Sequence, residues 1–281
     1  MKTDLEAVSE RNRTIMAALL IVAGLFLVAA TPLLLQSALD PTLEAMMKEA
    51  AANPQHASGP TLVAIAFPLW RALIFAAGVT SVTIAYALWR GRNWTWPVAL
   101  ACLATPAIGG MFMTLPFVAR VRDGFPPSMI VALVGLVAYF GVLLLRMNRR
   151  KKGIDVLVFT LLGVVTTLGF VLGLGGLGQF MARPDWPLFV EAKTVSLSLS
   201  GPVSGISMVL AFAAIPLLAA RKRAGWWLGV ISGTSMFAAN LPTLVISSSS
   251  YYLMGAAAGL LLAGTLLVPA VKGQLLGSHT T

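Results

Sequence analysis

Apolar residues gather along this chain in eight stretches, each separated from the next by a short polar or charged segment. The stretches run approximately 14–36, 61–89, 94–118, 127–145, 154–181, 202–219, 226–247 and 251–271. Each approaches or exceeds the roughly 20 helical residues that cross a hydrocarbon core of about 30 Å. The pattern predicts an all-α, polytopic membrane protein with eight transmembrane helices. The first stretch reads as a retained helix rather than a cleaved leader, because it is long and follows acidic as well as basic residues.

Composition agrees with this pattern. Of 281 residues, 58% are hydrophobic and 11% charged, with a mean hydropathy of +0.86. A soluble domain of this size needs a far more polar surface. The net charge of +10 does not indicate nucleic acid, since the basic residues sit in short runs between apolar spans. With the N-terminus inside, fourteen of the twenty Lys and Arg residues fall in inner segments and five in outer ones. Arg149, Arg150, Lys151 and Lys152 form the densest inner cluster. This bias predicts a bacterial-type inner-membrane protein with both termini cytoplasmic.

The expected organisation is a cytoplasmic segment 1–13, a first four-helix half 14–152, a second half 153–272 and a cytoplasmic tail 273–281. Outer loop 38–60 carries Asp40, Glu44, Lys48 and Glu49 and reads as a short amphipathic helix, or else a solvated loop. The halves share a layout that two parallel four-helix repeats would produce. Ser58-Gly59-Pro60 matches Ser200-Gly201-Pro202, Arg90-Gly91-Arg92 matches Arg221-Lys222-Arg223, and Leu115-Pro116 matches Leu241-Pro242. Chance matches in an Ala-, Gly- and Leu-rich chain are the competing explanation.

The segment MFAANLPTLVISSSSYYLMG places Asn240 and Pro242 inside a span. Proline frees a backbone carbonyl one turn earlier, and an amide can serve such a group or a neutral ligand. Asn240, Pro242, Ser235, Pro116 and Thr114 are therefore candidates for a polar cavity or hinge. Interhelical hydrogen bonding is the alternative role for the same residue types. Arg71 lies beside Trp70 near an outer interface, where it either snorkels to headgroups or contacts an anion. Gly169 and Gly173 form a GxxxG pair, with Gly176 extending the same small face, which predicts close helix packing. The Gly173–Gly178 run imitates a dinucleotide fingerprint, but no strand precedes it.

Several chemistries lack their residues. The one cysteine, Cys102, excludes an internal disulfide. His56 and His279 lie outside the spans, and none of the ten acidic residues stands in the middle of one. A buried carboxylate relay, an HExxH zinc site, paired aspartates for a prenyl diphosphate magnesium site and an intramembrane Ser–His pair are missing. The chain is expected to be neither an enzyme nor a cofactor protein. A transporter-like protein, or the membrane subunit of a transport system, for a neutral, amphipathic or lipid-like compound is the leading expectation. Its partners would be the lipid bilayer and either partner membrane subunits or a cytoplasmic ATPase. A membrane scaffold or regulatory subunit packing against partner helices is the alternative.

Overall fold

The computed structural model describes residues 8–53, 56–121, 124–146, 152–181 and 192–276. Among these residues the fold is all-α, with ten helices: α1 (Glu10–Ala29), α2 (Thr31–Ala52), α3 (Ser58–Trp89), α4 (Thr95–Arg120), α5 (Pro127–Arg146), α6 (Lys152–Met181), α7 (Ala192–Ala219), α8 (Arg223–Ser247), α9 (Ser250–Leu267) and α10 (Pro269–Leu276). All except α2 and α10 are long and apolar enough to cross a membrane, so this is a multi-pass membrane protein with eight candidate spans. The basic cluster at 149–151, Trp186 and the last five residues fall outside the described residues.

Helix ends follow local chemistry. Ser9 caps α1, its hydroxyl accepting the Asn12 backbone N–H at 3.3 Å. The first apolar stretch does not continue to residue 36 as one element. It breaks at Ala30, and α2 begins at Thr31-Pro32, where proline suits the first helical turn. The amphipathic element expected at 38–60 is thus a 22-residue helix that starts earlier in the chain. Its exposed Lys48 pairs with Glu44 at 2.7 Å, and this hydrogen bond draws the Glu44 carboxyl below its ordinary value.

Two helix C-termini close alike. After α3, the Gly91 and Arg92 amides donate to Leu88 O and Ala87 O. After α7, the Arg221 and Lys222 amides donate to Leu218 O and Leu217 O. Both are paired 5→2 and 6→1 closures, which require a left-handed residue. Gly91 fills that place at φ 78°, and Arg221 at φ 57°.

The contacts divide the chain into two compact units, 1–42 with 66–156 and 43–65 with 157–281; α2 and α3 each contribute to both. In the first unit, α1, α3, α4 and α5 pack through small residues. A Cβ on Gly24 (α1) would lie 2.8 Å from Gly78 O (α3), and one on Gly135 (α5) 2.5 Å from Ala107 N (α4). The second unit packs α6, α7, α8 and α9 in the same manner. Added Cβ atoms would reach 2.8 Å from Gly201 Cα at Gly176, and 2.8 Å from Gly259 O at Gly233. Backbones this close leave no room for a methyl, which is how membrane helices gain packing without a hydrophobic drive between them.

Each unit also anchors a tryptophan. Trp96 is buried, its Nε1 donating a long 3.5 Å bond to Val142 O, and Arg146 lies 4.0 Å above its ring. Trp226 is buried, its Nε1 donating to Leu266 O at 2.9 Å, with Lys272 4.3 Å above the ring. Trp70 packs against Gly109 and is also buried, whereas Trp89, Trp94 and Trp227 are exposed. The tryptophans thus divide into buried packing residues and exposed ones.

Candidate functional site

The polar interior of the second unit arises from two stripes at helical spacing. On α7, Ser196, Ser200, Ser204 and Ser207 recur every three or four residues and so share one face. On α8, Ser232, Met236, Asn240 and Thr243 do the same. All eight are buried. The stripes meet: Ser232 donates to Ser207 O at 2.7 Å, Asn240 Nδ2 to Ser204 Oγ at 3.1 Å, and Thr243 to Ser196 O at 3.3 Å.

Asn240 is the most constrained member. It is fully buried, and Nδ2 donates a second bond to Met236 O at 2.8 Å. A backbone carbonyl only accepts, so this bond fixes which end of the amide is nitrogen. Oδ1 then faces the other way and has no hydrogen-bond partner. A Cβ on Gly255 of α9 would stand 3.2 Å from Asn240 Cγ and 2.5 Å from Leu172 of α6. The absence of a side chain at Gly255 is what admits the amide among α6, α7, α8 and α9.

Further unpaired polar atoms flank it. Ser200 Oγ and Ser207 Oγ are buried and lack partners. They lie about one turn on either side of Ser204. The Tyr252 phenol of α9 faces Ser200, but the pair makes no hydrogen bond of acceptable geometry. Among the described residues, no carboxylate lies deeper than the first turn of a spanning helix; Glu10 and Asp155 occupy such first turns. No group of three or more His, Cys, Asp or Glu side chains among the described residues could hold a metal.

The other sequence candidates distribute differently. Pro242 is exposed, on the side of α8 away from Asn240. The carbonyl that proline frees is that of Ala238, also exposed, while Asn240 bonds Met236 O instead. The expected partnership between the amide and the proline-freed carbonyl does not form, and α8 runs unbroken from Arg223 to Ser247. Ser235 is half-buried. Thr114 is buried, 3.0 Å from Ser128 Oγ and bonded to Gly110 O at 2.8 Å, so it links α4 to α5. Pro116 is half-buried in α4, in the first unit, while Pro242 belongs to the second.

Arg71 donates to Gln36 Oε1 at 2.9 Å, and Gln36 Nε2 donates to Asp40 Oδ1 at 2.7 Å. The observed partner of the guanidinium is thus a neutral amide in a short polar chain on α2 and α3. Gly169, Gly173 and Gly176 face α7: their added Cβ atoms would lie 2.7 Å from Ser204 O, 3.2 Å from Gly205 Cα and 2.8 Å from Gly201 Cα.

Two features went unread in the sequence. Glycines recur every four residues on α8 (Gly225, Gly229, Gly233) and on α9 (Gly255, Gly259), and the α7 serines follow the same helical period. Both signals are visible as spacing. Comparison with known proteins returns no matching family model, no matching curated protein and no matching solved structure.

Proposed function

We propose that this multi-pass membrane protein is transporter-like, or the membrane subunit of a transport system, and handles a neutral, amphipathic or lipid-like compound. One observation carries this reading: Asn240 presents a buried, unpaired acceptor inside a helix bundle. An unsatisfied polar atom in such surroundings is costly and calls for an explanation, and a ligand supplies one. The surrounding hydroxyls are uncharged, which matches a neutral compound better than an ion. The protein is read as non-enzymatic, and partner membrane subunits or a cytoplasmic ATPase would supply energy.

The bias of basic residues supports a bacterial-type inner membrane with both termini cytoplasmic. An origin of the two units by parallel duplication of a four-helix bundle also fits. It is supported by the like closures at Gly91 and Arg221 and the like anchors at Trp96 and Trp226, each pair 130 residues apart. The Ser-Gly-Pro match does not support it. Residues 58–60 open α3 and 200–202 lie inside α7, and both belong to the same unit.

A scaffold role is the competing reading, favoured by the three α7–α8 hydrogen bonds, which hold helices together whether or not a ligand binds. Mass spectrometry of neutral amphiphiles in cells and medium separates the two. Deletion of the gene is expected to shift one such compound across the membrane, and the intact gene to restore it. An unchanged distribution, with loss of a co-purifying membrane partner, would favour the scaffold.

A further inference from the structure

We propose that the interior of the second unit binds the hydroxyl head of an amphipathic alcohol, with Asn240 Oδ1 accepting its proton. The transport reading supplies its physiological meaning; the site itself rests on unpaired atoms. Asn240 Oδ1 accepts only, because Nδ2 is committed to Met236 O and Ser204 Oγ. Its ligand must therefore donate. Ser200 Oγ and Ser207 Oγ, buried and unpaired, each carry a hydroxyl proton to give. Ser200 and Ser207 stand seven residues, about 10 Å, apart along α7, so one head group reaches at most one of them. A hydroxyl is the smallest neutral group that can donate to Oδ1 and accept from one such serine.

Charged heads fit poorly. A cation would find no described carboxylate beyond the first turn of any spanning helix, and burying it unpaired is expensive. An anion would face the lone pairs of Oδ1, and the described cations of the second unit's spanning helices stand at or near helix ends, as Arg223 does. Apolar side chains stand beside the amide for a hydrocarbon tail to meet: Leu172 of α6 approaches the same Gly255 position as Asn240, and Met236 is buried one turn earlier on α8. The site lies about 10 Å from the end of α8, counting seven residues from Asn240 to Ser247.

The test is photolabelling of the purified full-length chain with a diazirine-tagged dodecanol and with its methyl ether, which cannot donate. The alcohol is expected to label residues of α7, α8 and α9 around Ser204, Asn240 and Tyr252, saturably and in competition with plain dodecanol. It should exceed the ether by about tenfold, the scale of one hydrogen bond to an otherwise unpaired buried acceptor. Asn240→Leu should bring the alcohol down to the ether's level. Equal labelling by alcohol and ether overturns the site, as does unchanged labelling of a folded Asn240→Leu chain. Absence of labelling in this region also overturns it and leaves a bound water as the partner of Oδ1. If Asn240→Leu fails to fold, the alcohol-to-ether ratio on the native chain decides alone. Specific alcohol labelling without any compound moving in the deletion strain would keep the site and remove transport; movement without alcohol preference would do the reverse.

Discussion

Asn240 and Pro242 stand two residues apart on α8 and face opposite sides of it, the amide fully buried and the proline exposed. Two helical steps rotate a side chain by about 200°, so neighbours in sequence become opposites in space. Pro242 therefore frees a carbonyl on the outer face of the second unit, while Asn240 works inside it. The two residues have separate roles, and variants at each should behave independently.

The α8–α9 contact is the first place to test packing. Gly233→Ala would bring a methyl to 2.8 Å from both Ala263 N and Gly259 O, backbone atoms that cannot rotate away. The expected loss is about 1–3 kcal/mol, the usual scale of overpacking. Gly264→Ala, on the open side of α9, should be neutral or slightly stabilising, since it meets nothing within 4 Å. Unfolding in mixed micelles compares the pair; equal effects would contradict the close approach.

Arg221 offers a stabilising change. It holds the left-handed position that Gly91 holds in the other closure. Arg221→Gly should relieve about 1 kcal/mol of backbone strain, and Gly91→Ala should add about as much. Thermal denaturation of the two variants should move in opposite directions.

Arg71 reports on the half-exposed chain with Gln36 and Asp40. Because its observed partner is neutral, Arg71→Lys should change stability by less than about 1 kcal/mol, the scale of one such hydrogen bond. A strong loss of activity at normal membrane levels would instead reveal an anion that needs the planar guanidinium fork.

Membrane orientation follows from the basic residues. In a Cys102→Ala background, Lys48→Cys should react with an impermeant maleimide in intact cells, and Lys222→Cys only after permeabilisation. The opposite pattern would invert the proposed topology.

How far the sequence carried this picture differs from element to element. Eight apolar lengths are legible because a bilayer imposes them directly. The break between α1 and α2 was hidden by the apolar run continuing through Leu33, Leu34 and Leu35, although Pro32 marked it. Asn240 was conspicuous as an amide in an apolar span. Its partners were not, because the α7 serine stripe shows only that one face is polar, never which helix that face meets. The Leu-Pro match illustrates the same limit. Measured from the anchored tryptophans, Pro116 lies 20 residues after Trp96 and Pro242 16 after Trp226, one turn apart. Local motif and three-dimensional register thus disagree.

The central claim is that the polar interior of the second unit serves a ligand as well as holding α7 to α8. Asn240→Leu, measured for stability and for compound distribution in the same cells, tests it most directly. The expected loss of stability is about 1 kcal/mol or less, the scale of interhelical hydrogen bonds in membranes, with normal protein levels. The variant should also fail to restore the compound distribution altered by deletion. Full restoration by a folded Asn240→Leu protein would contradict the claim and leave Asn240 as a structural tie alone.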